Sequence, residues 1–168
     1  MGVDHYRDAR IEDRYVDMLK PLFAYGKPVI ITEFGHNTFQ GTTGSGSMGS
    51  QMMGNVDYKT LFLYRIPLLG RVVRPRLNGE YVRDEALQAR ELIETLGILD
   101  AAGVDDAFVF AFAFPLYMYD SDPRYDLDAA STSLVKSYGG GKNGTTYPDM
   151  PWEPKESFKA VAEYFAKQ

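Results

Sequence analysis

"KPVIITEFGHN" (residues 27–37) is the stretch that decides how this chain is read. Val29, Ile30 and Ile31 are consecutive and β-branched, so residues 28–32 are predicted to form a strand. The run is continuous, without alternation, which fits a parallel strand covered on both faces. It ends on a carboxylate, Glu33, followed by Phe34 and Gly35. In parallel α/β folds, functional groups gather at the carboxyl ends of the strands. A charge at that point faces a cleft instead of a core.

Upstream, "GVDHY" (residues 2–6) reads as the end of another strand, which puts His5 and Tyr6 at the same edge as Glu33. Between the two, Ile11, Tyr15, Leu19 and Leu22 or Phe23 fall at helical spacing, with Pro21 expected to kink or split that helix and Gly26 to cap it. Downstream, Asp84 is a predicted cap for a helix whose apolar stripe is Leu92, Ile93, Leu96 and Leu99 or Ile98, and Gly103 ends it. Residues 107–114 are a second apolar strand. A last helix follows Pro154, with Phe158, Val161, Ala162 and Phe165 on one face. Alternating strands and helices mean parallel βα units with right-handed crossovers.

Residues 36–83 exceed an ordinary βα connection and read as a loop insertion within a single domain, residues 1–168. Residues 38–55 are rich in Gly, Ser and Thr and are expected to be poorly ordered. "GSGSMG" (residues 44–49) matches the dinucleotide fingerprint, but it follows no strand and opens no helix, so it is rejected. Asn78-Gly79 is a hairpin-turn signal.

At 168 residues and 45% hydrophobic, the chain can bury a core. Its net charge of -5, with no basic block, gives no support for a nucleic-acid partner. With no cysteine, disulfide frameworks and cysteine-rich zinc sites are excluded. No apolar run approaches the roughly 20 residues of a membrane span. Residues 1–10 are polar and carry no secretory signal, so a cytoplasmic location is expected over secretion. His5 and His36 are the only histidines and lack metal-ligand spacing, so no metal and no cofactor are expected.

Taken in order, "GVDHY", "PVIITEFG" and "GVDDAFVFAFAFP" resemble strands six, seven and eight of the clan A glycoside hydrolases, which are (β/α)8 barrels. "STSLVKSY" and "PWEPKESFKAVAEYF" resemble their closing segment. A relation to uncharacterised bacterial barrel proteins of this type is expected as well. The resemblance implies an α/β fold that is a partial TIM (β/α)8 barrel, approximately strands six to eight with their helices. It implies Glu33 as nucleophile and Tyr6 as the residue that supports it. Two positions depart from the pattern. Phe112 or Phe114 stands where a strand-eight tryptophan is expected, and the strand-four acid/base has no counterpart. The chain therefore reads as the C-terminal part of a barrel, covered by the missing N-terminal half or by further copies of itself.

Retaining hydrolysis needs two carboxyl groups about 5–5.5 Å apart, and Glu33 supplies only one. At the same strand ends, His5, His36, Asn37 and Phe114 are candidates to bind substrate. Tyr117, Tyr119, Asp120 and Asp122 form an aromatic and acidic loop suited to a saccharide by ring stacking and carboxylate hydrogen bonds. Each has a plainer reading. Glu33 can be a strand-end ion pair, Tyr6 a half-buried ring, either histidine a hydrogen-bonded structural group, and "DSDP" an ordinary turn. Two functions remain open. One is retaining hydrolysis of a β-glycoside when the complete barrel is present. The other is a non-catalytic carbohydrate-binding or interaction module on a degenerate barrel fragment.

Overall fold

The computed structural model describes residues 1–42 and 54–167. Three short parallel strands, β1 (Gly2–Asp4), β2 (Ile30–Phe34) and β3 (Asp106–Val109), form one sheet in that order. A separate antiparallel pair joins β4 (Val135–Ser137) to β5 (Trp152–Pro154). Among the described residues, the named helices are α1 (Lys20–Phe23), α2 (Tyr58–Tyr64), α3 (Glu85–Ala101) and α4 (Glu156–Phe165).

The partial barrel expected from the sequence is not what the chain forms. Its described strands make an open three-stranded sheet plus an antiparallel pair, with no barrel closure. Closure requires about eight tilted strands with a consistent stagger. Three strands, each rotated by roughly 20–25° from the next, turn through only part of that circle. The chain after β3 does not extend the parallel sheet; residues 135–137 pair back on 152–154. The result is a small α/β domain.

The covering of the sheet also differs from expectation. Ile31 and Phe34 are fully buried against Leu92, Leu96 and Leu99 of α3 and Val161 of α4, with Tyr15 and Leu19 from the segment before and at the edge of α1. The opposite face carries exposed Asp4, Thr32, Asp106 and Phe108. The β-branched run is therefore covered on one face, not two.

α3 follows the sequence closely. The Asp84 carboxylate accepts the Leu87 N–H at 2.8 Å, and Gly103, at φ +81°, takes the left-handed turn that closes the helix. Other boundaries moved. The segment of residues 11–23 is not a kinked helix. It is a 3-10 turn (Glu12–Arg14) and further turns leading into α1, and Pro21 lies in the first turn of α1, where its missing N–H costs nothing. Pro154 closes β5 instead of opening α4.

The insertion has its own structure where described. Val56 and Leu77 form a bridge and pack with Tyr117, Leu127 and Ala130 in a second core. Neither Asn78 nor Gly79 has a positive φ, so the type I′ hairpin turn is not formed there. Thr38, Phe39 and Thr42 are buried, and Phe39 bridges to Arg83. Residues 44–49, and most of the stretch expected to be poorly ordered, lie outside the described residues.

Candidate active site

Strict alternation along β2 would send Glu33 into the core, because Ile31 points there. The strand avoids this with one extra residue. Ile31 pairs with Ala107 and Phe34 with Val109, so three steps on β2 match two on β3. On the other side, Val3 pairs with Ile31 and Asp4 with Glu33, so two steps match one. An extra residue of this kind bends a strand and re-aims its side chains. Here Phe34 becomes fully buried and Glu33 is left partly exposed at the sheet's carboxyl edge.

Glu33 meets Tyr6 at that edge. The phenol donates to Glu33 Oε2 at 3.2 Å. Burial pushes the Tyr6 hydroxyl well above its usual range, and the neighbouring charges of Glu33 and Asp4 push it further, so it remains a donor. The two line a cavity of about 460 Å³ with Asp4, His5, Asp8 and Arg10. Asp8 is gripped by Arg10 at 2.7 and 3.2 Å, which holds its carboxyl below the usual range. Asp4 accepts from the Thr32 hydroxyl at 2.6 Å.

The histidines are structural in their contacts. His5 Nε2 donates to the Tyr15 carbonyl at 2.8 Å, the Tyr15 hydroxyl donates to the His5 carbonyl at 2.9 Å, and the two rings stack at 4.0 Å. Burial lowers the His5 pKa, partly offset by that carbonyl. His5 touches the Glu33 cavity but is tied into its wall. His36 is buried beside the Thr95 hydroxyl at 3.0 Å, and burial, with the Arg7 charge, lowers its pKa to about 4. Asn37 is fully buried, and neither of its side-chain amide atoms has a hydrogen-bond partner among the described residues. Neither His36 nor Asn37 lines the Glu33 cavity.

The aromatic and acidic loop divides. Tyr117 is buried in the second core, and Phe114 packs against it with ring centroids 5.2 Å apart. Tyr119, Asp120 and Asp122 line a different and larger cavity of about 920 Å³. Among the described residues, none lines both this cavity and that of Glu33. The structure thus brings Glu33, Tyr6 and His5 together and places the three loop residues elsewhere.

A charge network has no signal in the sequence. Arg83 forks onto Asp126 at 2.8 and 2.9 Å and reaches Asp128 at 2.7 Å. Lys155, fully buried, meets Asp128 at 2.9 Å and donates to Thr38 and Ser133 at 2.9 and 3.2 Å. Burial lowers the Lys155 pKa, Asp128 opposes that, and the Arg83 charge adds to the lowering. Separations of up to 117 residues join these groups, so no local pattern points to them.

Among the described residues, no group of three His, Asp or Glu is placed to hold a metal ion, and no helix is long and apolar enough to cross a membrane. No protein-family model matches the chain, and no curated protein matches it.

Proposed function

We propose that this chain carries the nucleophile side of a retaining β-glycoside-cleaving site, related to the clan A glycoside hydrolases through β2. Glu33 is the nucleophile and Tyr6 its positioning group. The observation that carries the reading is the 3.2 Å hydrogen bond from Tyr6 to Glu33 Oε2 at the carboxyl edge of a parallel sheet. With Oε2 engaged, Oε1 is left to attack the anomeric carbon. A bond forms from Oε1 to that carbon as the bond to the leaving oxygen breaks. A poor leaving group needs a proton at that moment, worth about 10²–10⁴-fold in rate. In this cavity Asp8 is held ionised by Arg10 and is not a donor. Glycosides with a good leaving group, which depart without a proton, are therefore the substrates this cavity is suited to.

Dinitrophenyl β-glycosides fluorinated beside the anomeric carbon test this directly. The leaving group departs unaided, and the fluorine slows release of the ester, so the adduct accumulates. Mass spectrometry of the intact chain and its peptides should place one glycosyl group on Glu33. Glu33→Gln should abolish it and Tyr6→Phe should slow it. No adduct across gluco, galacto, manno and xylo forms, or an adduct elsewhere, would sink the nucleophile assignment.

A second reading, non-catalytic carbohydrate binding, is favoured by one observation. The loop suited to sugars lines a cavity that shares no residue with that of Glu33.

A further inference from the structure

The insertion and the loop after β3 meet around Tyr119. On one side is the cavity of about 920 Å³, and adjoining it is another of about 450 Å³. Tyr119, Asp120 and Ser121 line both, so the two are halves of one groove divided by that ridge. The larger half alone lies at the upper end of the roughly 300–1,000 Å³ of small-ligand sites. The groove as a whole suits a chain of linked units better than a single small molecule.

Its chemistry is that of a neutral, hydroxyl-rich ligand. Tyr81 and Tyr119 line the larger half, and Tyr119 and Tyr138 the smaller. Such rings offer apolar faces for C–H groups and hydroxyls for polar ones. The arginines are already engaged. Arg76 Nε donates to Asp57 at 3.1 Å, Arg83 forks onto Asp126, Arg124 stands 3.7 Å from Asp122, and Arg74, which lines neither half, pairs with Asp120. Each guanidinium lining the larger half already stands beside a carboxylate, Arg83 in a buried fork and Arg76 and Arg124 in exposed pairs. Five carboxylates (Asp57, Glu80, Asp120, Asp122, Asp126) and three arginines (Arg76, Arg83, Arg124) line the larger half, with Arg74 on Asp120, so its surplus is negative and disfavours anions there; the smaller half holds Asp120 and Lys142 and has no surplus. Ion-paired carboxylates keep spare lone pairs, so the exposed pairs of Asp57 and Asp122 can still accept from sugar hydroxyls.

We infer that this groove binds a neutral oligosaccharide chain, at a site separate from Glu33. The inference rests on the carbohydrate reading above and does not depend on Glu33 being a nucleophile. Affinity gel electrophoresis against neutral polymers (xylan, mixed-linkage glucan, galactomannan) and anionic ones (polygalacturonate, alginate) tests it. The wild-type chain should be retarded by at least one neutral polymer, insensitively to salt, and not by the anionic ones. Tyr119→Ala should weaken retardation by about ten-fold or more, equivalent to about 1.4 kcal/mol. Tyr119 also packs on Tyr138, so Ser121→Trp serves as the second variant. Ser121 is exposed on the ridge, and its replacement blocks the groove without disturbing a core. It should abolish retardation with an unchanged melting temperature, while Glu33→Gln should leave retardation intact. Retardation by anionic polymers alone, by none, or equally in wild type and Ser121→Trp would overturn the inference. Loss of retardation in Glu33→Gln would overturn it too, because the two sites would then be one. Adduct formation at Glu33 is read separately, so either assignment can fail alone.

Discussion

At the scale of single residues, the two histidines make stability depend on pH in a calculable direction. Burial lowers the His36 pKa from its ordinary 6.5 to about 4, and His5 is shifted the same way. Above about pH 6.5 the unfolded chain also keeps its histidines neutral, so nothing is lost on folding. As the pH falls towards 4, the unfolded chain takes up protons that the folded one refuses, and stability declines. For His36 the full loss is on the order of 3 kcal/mol. Urea unfolding midpoints between about pH 5 and 6.5 should fall with pH, and His36→Gln should flatten that slope. An equally steep slope in the variant would show that His36 is not the group responsible. The sequence identified a carboxylate and a phenol at one sheet edge because strand ends in parallel sheets are recognisable locally. It did not reveal the extra residue in β2 that turns Glu33 outward, since register belongs to the paired strands and not to either alone.

At the scale of elements, legibility follows the range of the interactions involved. Both ends of α3 were readable because a cap is made within a few residues: Asp84 to Leu87 at the start, Gly103 at the finish. Asp84→Ala should cost about 1 kcal/mol, and Asp84→Asn, which keeps an acceptor, much less. For a domain of this size that is a fall of roughly 2–4 °C in melting temperature. Indistinguishable melting of the Ala and Asn variants would mean the cap contributes nothing. The region around Pro21 and the start of α4 misled for the complementary reason. Proline at a helix start and proline at a break look alike in sequence, and what decides is the packing of Tyr15 and Leu19 on the sheet. β5 ends at Pro154 because its partner is β4, some twenty residues earlier, a pairing that no periodicity in residues 152–154 discloses.

At the scale of the whole molecule, a balanced buried charge network ties the C-terminal segment to the insertion, beside the apolar packing of α4 in the main core. Arg83 comes from the insertion, Asp126 and Asp128 from the chain after β3, and Lys155 from the start of α4. With Glu85 and Lys136 at its outer side, three cations meet three carboxylates, and the Lys155 and Asp128 side chains are 0% exposed. Water cannot replace a missing partner at such a depth. Removing one charge leaves the others unpaired, which typically costs about 3–5 kcal/mol. That is a large share of the roughly 5–15 kcal/mol that holds a domain together. Lys155→Met should therefore lower the urea midpoint severely and loosen residues 126–133 in hydrogen exchange. Lys20, paired with Asp17 on the surface at 70% exposure, provides the contrast. Lys20→Met should change little, because solvent screens that pair and the side chains can separate freely. If the two lysine variants unfold alike, the network is not what joins α4 and the insertion to the loop after β3, and the apolar contacts of the two cores must carry that task unaided.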